Sequence, residues 1–116
     1  MQNNNTKKND LNVTLQELKI LSDQFTIERD WKKFHSPKDM ATQLSVESNE
    51  LLAHFLYMTN EQSYDKVEKN RQAIEDEAAD CLLTLLNFCN ESKIDLTAAF
   101  FTKLKKLQDR YPAIKK

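Results

Sequence analysis

Two acid-x-x-acid motifs hold the residues best suited to chemistry. The first is Glu47-Ser48-Asn49-Glu50, within an apolar stretch from Met40 to Met58. The second is Glu77-Ala78-Ala79-Asp80, within another from Ala73 to Cys89. On a helix, three residues advance about 300° and about 4.5 Å, so each pair projects from one face, one turn apart. Their placement is informative. Met40, Leu44, Leu51, Phe55 and Met58 fall on the side of Glu47, and Ile74, Cys81, Leu85 and Phe88 on the side of Glu77. Glu50 and Asp80 each lie about 60° to one side. Carboxylates directed into an apolar region are costly unless protonated, paired or bound to a cation. Two readings stand: solvated helix residues, the ordinary fate of charge pairs, or four converging carboxylates that take a divalent cation. Glu75 and Asp76 fit the first reading. Glu47 and Glu77, which interrupt apolar stripes, fit the second.

An all-carboxylate set suits a hard cation, Mg²⁺ with Mn²⁺ as a possible substitute. Neither His35 nor His54 follows a glutamate by three residues, the pattern of di-iron bundles, and no cysteine-histidine set for zinc is present. Mg²⁺ commonly binds substrate phosphates and keeps several waters, and a carboxylate it does not fully engage can accept a proton. Lys103, Lys106 and Arg110 give the last helix a basic side. That side is either a solvated face or a clamp for distal phosphates.

These residues must be held by helices. Thr14-Leu15-Gln16-Glu17 opens a first helix as a capping box, and Leu15, Leu18, Ile20, Leu21 and Phe25 give it an apolar face to about Lys33. Ser36 and Pro37 open a second helix, expected over Pro37 to Tyr57. Trp31, Phe34 and His35 cluster at the junction between the two. They either pack and cover the corner or form a stacking and hydrogen-bonding site for a planar ligand. After a polar break at Thr59 to Ser63, a long third helix is expected to Ser92. On it, Asp80, Thr84 and Asn87 edge the acidic seam at steps of four and three. Asp95 caps a fourth helix whose core side is Leu96, Ala99, Phe100, Leu104 and Leu107, ending at Tyr111-Pro112.

The totals bound the class. The 116 residues suit one domain, and the net charge of −1, from 17 Lys plus Arg against 18 Asp plus Glu, gives no basic excess for a stable nucleic-acid partner. The absence of glycine excludes a Rossmann fingerprint and a P-loop and disfavours tight hairpins. The expectation is an all-α four-helix bundle over residues 13–112, with a flexible tail at 1–12 and a short one at 113–116. A core this small is helped by oligomerisation. Cys81 and Cys89, roughly 12 Å apart on one helix, cannot pair with each other and are expected as reduced core thiols of a cytoplasmic protein. No apolar run approaches the roughly 18 to 20 residues of a membrane span, and the polar N-terminus has no signal-peptide pattern.

The pattern resembles the all-α nucleotide pyrophosphohydrolases of the MazG-like superfamily, in the small branch that includes dCTP pyrophosphatase. The resembling segments run in order: Arg29-Asp30-Trp31, Phe34-His35-Ser36-Pro37-Lys38, Leu44 to Leu52, Glu77 to Leu82, and Arg110-Tyr111-Pro112. They span about Leu15 to Pro112. The resemblance implies conversion of a nucleoside triphosphate and water to monophosphate and pyrophosphate, with attack at the α-phosphorus and Mg²⁺ as cofactor. It makes Glu47, Glu50, Glu77 and Asp80 the metal ligands, with Glu47 and Glu50 as catalytic candidates and Glu50 orienting the water. It makes Trp31 and His35 base-side residues and implies a homodimer or homotetramer with pockets near the subunit contacts. Four positions depart from that branch: Tyr57 in place of Trp, Thr84 in place of Tyr, Leu107 in place of Asn and Asp39 in place of Asn. They leave the metal residues intact and put the preference for dCTP in question. The expected nucleotide contacts are Trp31, His35, Tyr57, Thr84, Asn87, Lys103, Lys106 and Arg110, and the expected role is the removal of surplus or non-standard nucleotides. The alternatives are a non-catalytic helical dimer that binds nucleotide or protein, and a metal-dependent hydrolase of another polyphosphate.

Overall fold

Short polar side chains start four of the five α-helices by accepting an N–H that has no intrahelical partner. In the computed structural model, which describes residues 7–114, the helices are α1 (Leu15–Glu28), α2 (Pro37–Ala53), α3 (Asn60–Lys69), α4 (Arg71–Ser92) and α5 (Leu96–Arg110). Thr14 Oγ1 accepts from Glu17 N–H at 3.1 Å, Ser36 Oγ from Asp39 N–H at 3.1 Å, and Asp95 Oδ1 from Ala98 N–H at 3.0 Å. The reciprocal capping box lies at Thr59 and Gln62, where Gln62 N–H donates to Thr59 Oγ1 and Thr59 N–H donates to Gln62 Oε1. The segment expected as a polar break is therefore the start of α3.

The architecture is all-α, with no strand among the described residues. It departs from the expected bundle in helix count and helix ends. The long third helix is two helices, broken at Asn70 (φ −122°, ψ 34°). Asn70 N–H closes α3 on Lys66 C=O, and Asn70 C=O accepts from Ile74 N–H to open α4. Asn is a poor interior helix residue, and although its side chain makes no capping bond here, the helix breaks at this one residue without Gly or Pro. Helix α1 stops at Glu28, and a 3-10 turn at Lys32–Phe34 follows. Helix α2 stops at Ala53, so Phe55 to Met58 lie in the connection beyond it. With no glycine available, Asp30, Tyr57 and Lys93 supply the left-handed residues, at φ 55°, 60° and 56°. Each costs about 1 kcal/mol or more. Residues 1–6 of the expected N-terminal tail and 115–116 of the C-terminal one lie outside the described residues.

The tightest packing joins α2 to α4, with α1 against α4 next and α3 only lightly attached. Leu86 and Cys89 of α4 are the most deeply buried apolar side chains, with Met40 of α2 beside them in rank. The expected apolar faces of α1 and α5 are only partly covered: Leu15, Leu18, Leu96 and Leu104 are half-buried, and Leu21, Phe25 and Phe100 are exposed. In α1 the inward positions are Ser22 and Thr26: the Ser22 hydroxyl donates to Asn87 Oδ1 and the Thr26 hydroxyl to Ser22 C=O. Leu18, Leu21 and Phe25 instead line an open groove with Ala79, Leu82 and Leu83 of α4. Helix α5 packs only slightly on the rest of the chain. Its expected core side faces a groove of about 660 Å³ shared with Leu15 and Leu85, and Phe100 and Phe101 are 60% and 62% exposed.

The consequence is a large surface. The 13.6 kDa chain exposes 9789 Å², whereas a compact monomer of that mass exposes about 6,600 Å². Its radius of gyration is 17.5 Å, against about 13 Å for a compact domain of this length. One ionic tie fixes the corner before α2: Lys32 Nζ lies 2.7 Å from Asp23 of α1 and 3.4 Å from Glu91 of α4. The hydrogen bond to Asp23 raises the Lys32 pKa above its ordinary value, and the Asp23 and Glu91 charges add to this against the opposing effect of burial.

Candidate metal centre

The close α2–α4 pairing turns two sequence-distant motifs into one site. Glu47, Glu77 and Asp80 each offer an oxygen within 4.8 Å of the others. Like charges brought this close repel one another. Glu47 and Glu77 are half-buried, and Oε2 of each is shielded from water with no hydrogen-bond partner. Buried acceptors of this kind are normally satisfied. The other oxygen of Glu47 accepts from Gln43 Nε2 at 2.6 Å. Orphaned oxygens, hard donors and the lack of any His or Cys in the group fit a hard divalent cation such as Mg²⁺ or Mn²⁺.

Glu50, one turn after Glu47, is exposed and stands outside the group of three. It still belongs to the same electrostatic neighbourhood. Burial pushes the Cys81 thiol up, and the charges of Glu47, Glu77, Asp80 and Glu50 push it further. Burial also pushes up Cys89. Both cysteines are unpaired, as expected.

A second feature adjoins the first. Trp31, Phe34, His35, Met40 and Gln43 line a cavity of about 290 Å³ at the start of α2. The Trp31 ring packs edge-on against Phe25 with centroids 5.7 Å apart. Gln43 thus lines this cavity and also bonds the acidic group. Gln43 lies outside both acidic motifs, but a Gln four residues before an inward Glu is a helical neighbour able to hydrogen-bond it.

The remaining expected contacts are dispersed. Thr84 is buried, and its hydroxyl donates to Asp80 C=O at 2.9 Å, while Asn87 is engaged by Ser22. Tyr57 lies beyond the end of α2 and is fully exposed, at 102%. Lys103 lines the α5 groove. Lys106 and Arg110 are exposed on α5, and among the described residues no ion pair joins any of the three to the acidic group. His54 packs against Phe55 and is not one of the three clustered residues. No described helix is long and apolar enough to cross a membrane.

Comparison with known proteins gives this geometry a family. Residues 35–115 match the MazG nucleotide pyrophosphohydrolase domain. The chain is 30% identical over 102 residues to dCTP pyrophosphatase 1 of Homo sapiens, covering 86% of this chain and 60% of that protein. It is likewise 30% identical over 101 residues to the Bos taurus protein of the same name, covering 85% of this chain and 60% of that one. The chain therefore spans about 60% of the length of the curated relatives it matches. Among solved structures it superposes on a pyrophosphatase from Archaeoglobus fulgidus with a TM-score of 0.83 and 30% identity, over 92% of this chain and 100% of that one. The matched segment holds both acidic motifs and runs through α2 to α5, and on that ground the chain belongs to the MazG nucleotide pyrophosphohydrolase family.

Proposed function

We propose that this protein hydrolyses a nucleoside triphosphate to the monophosphate and pyrophosphate with Mg²⁺ as cofactor. The observation that carries the reading is the α2–α4 seam, with three carboxylates within 4.8 Å and two orphaned oxygens. Glu47, Glu77 and Asp80 would hold the cation, and Mn²⁺ could replace Mg²⁺. When bound, the cation supplies charge neutralisation for the phosphates and acidifies water. Glu50, exposed beside the group, is free to orient the attacking water and take its proton. Glu47, the other catalytic candidate, has Oε1 bonded to Gln43 and Oε2 left for the cation, which assigns the proton to Glu50. The water oxygen bonds to the α-phosphorus, the α–β bridging P–O bond breaks, and pyrophosphate leaves with that bridging oxygen.

The cavity of Trp31, Phe34 and His35 suits a base, through stacking and hydrogen bonding. Tyr57 would offer a further stacking surface, and Thr84 and Asn87 would add nucleotide contacts. Lys103, Lys106 and Arg110 would meet the distal phosphates, from this chain's α5 or a partner's. The names of the curated relatives favour deoxycytidine triphosphate as substrate. We extend this to a modified form of that nucleotide and to nucleotide-pool clearance in the cytoplasm.

The uncovered faces of α1, α4 and α5 support assembly as a homodimer or homotetramer. The test is a panel of NTPs and dNTPs with Mg²⁺, products resolved by chromatography. Monophosphate with pyrophosphate is the expected result. Diphosphate with phosphate would refute the reaction, and a folded protein that turns over no nucleotide would point to a binding module instead.

A further inference from the structure

We infer that Gln43 is a positioning residue that couples occupancy of the aromatic cavity to cation binding at Glu47. This rests on the proposed function of the adjoining site. Gln43 Nε2 donates to Glu47 Oε1 at 2.6 Å across one turn of α2. A carboxylate only accepts, so the bond sets the amide the right way round, with nitrogen toward Glu47. Holding Oε1 restrains rotation of the carboxylate. It leaves Oε2, the buried oxygen without a partner, as the one that remains for a cation.

The same side chain lines the cavity with Trp31, Phe34, His35 and Met40. One N–H is committed to Glu47, and the carboxamide keeps an acceptor oxygen and a second N–H. Those two groups match the edge of a planar heterocycle that presents a donor beside an acceptor, as a nucleobase does. A base bonded there fixes Gln43, and Gln43 fixes Glu47. The coupling is reciprocal, so a cation that orders Glu47 also orders the group that meets the base.

Gln43→Met is the informative variant. It is close in length, lacks a donor, and changes an exposed position, so the fold is retained and checked by circular dichroism. Mn²⁺ affinity is read from the paramagnetic resonance of the free ion, with and without a deoxynucleoside monophosphate. Nucleotide affinity for each of the four monophosphates is read from the fluorescence of Trp31, the one tryptophan in the sequence. In the wild type, Mn²⁺ and the tightest monophosphate are expected to strengthen each other by the same factor, about tenfold. In Gln43→Met that factor falls to near one, and Mn²⁺ alone binds about tenfold more weakly. An undiminished coupling factor in Gln43→Met, or none in a wild type that binds both ligands, overturns the role of Gln43 and leaves the nucleotide reading intact. A wild type that binds Mn²⁺ but no monophosphate overturns the nucleotide reading and this inference with it.

Discussion

Along the α2–α4 seam, carboxylates are drawn partly out of water; on α5, phenylalanines are left in it. Glu47 and Glu77 each bury an oxygen with no partner, while Phe100 and Phe101 are more than half exposed. Both arrangements are unfavourable in the chain alone, by like-charge repulsion in one case and by unburied apolar area in the other. They call for different compensation. The seam asks for positive charge, and the helix face asks for apolar surface. The seam and the α5 face are therefore two separate deficits, which two different kinds of partner would satisfy.

The two deficits can be separated experimentally. The largest effect is expected in the seam. Asp80→Asn or Glu47→Gln should lower kcat by about 10²- to 10³-fold with no loss of melting temperature in Mg²⁺-free buffer, since each removes a repelling charge. A fall in Tm as large as that of a core mutant would show that the seam is structural. Next, Phe100→Asp should weaken self-association by on the order of 30-fold or more, as for a buried aromatic anchor, and move the sedimentation boundary toward a smaller species. An unchanged boundary would mean that α5 is not at the interface.

Smaller effects sharpen the contrast. Mg²⁺ at tenfold its Kd should stabilise the protein by about 1.4 kcal/mol, a rise of several degrees in Tm that Asp80→Asn abolishes. Because Cys81 and Cys89 both have raised pKa values, and the thiolate is the reactive form, iodoacetamide should modify both slowly at neutral pH, with Cys81 shielded by the neighbouring carboxylates as well as by burial. Faster alkylation than a free thiol at neutral pH would contradict that placement. The smallest change is at the exposed corner. Lys32→Met should cost less than about 1 kcal/mol, because Lys32 and its partners keep much of their solvent exposure. The sign follows from its raised pKa. The contribution is complete below the ordinary lysine value of 10.5 and is lost as pH rises through the higher folded value. Equal denaturation midpoints for the two proteins well above that pH would bear this out.

Much of this was readable from residue order. Thr14, Ser36 and Asp95 cap helices because hydroxyl and carboxylate groups satisfy orphan N–H donors wherever a helix follows. The seam was legible because Glu47 and Glu77 interrupt apolar stripes. The break at Asn70 was not, since it lacks Gly or Pro, and the Thr59-x-x-Gln62 box was hidden in a segment whose polarity suggested a loop. The inward Ser22 and Thr26 were invisible for a different reason. Periodicity marks an apolar face as needing cover, but it does not say whether this chain or another copy supplies it. Leu21 and Phe25 of α1 and the phenylalanines of α5 are about half exposed or more. The cavity residues Trp31 and His35 were marked by type, whereas the link from that cavity to the acids, Gln43, needed the distance.

In the proposed reaction the seam directs water to the α-phosphorus of a nucleoside triphosphate. The direct measurement is turnover in heavy-oxygen water with Mg²⁺, followed by mass spectrometry of both products. Attack at the α-phosphorus puts the label in the monophosphate and none in the pyrophosphate, with incorporation slowed by about 10²- to 10³-fold in Asp80→Asn. Label in the pyrophosphate would place the attack on the β-phosphorus and contradict the mechanism.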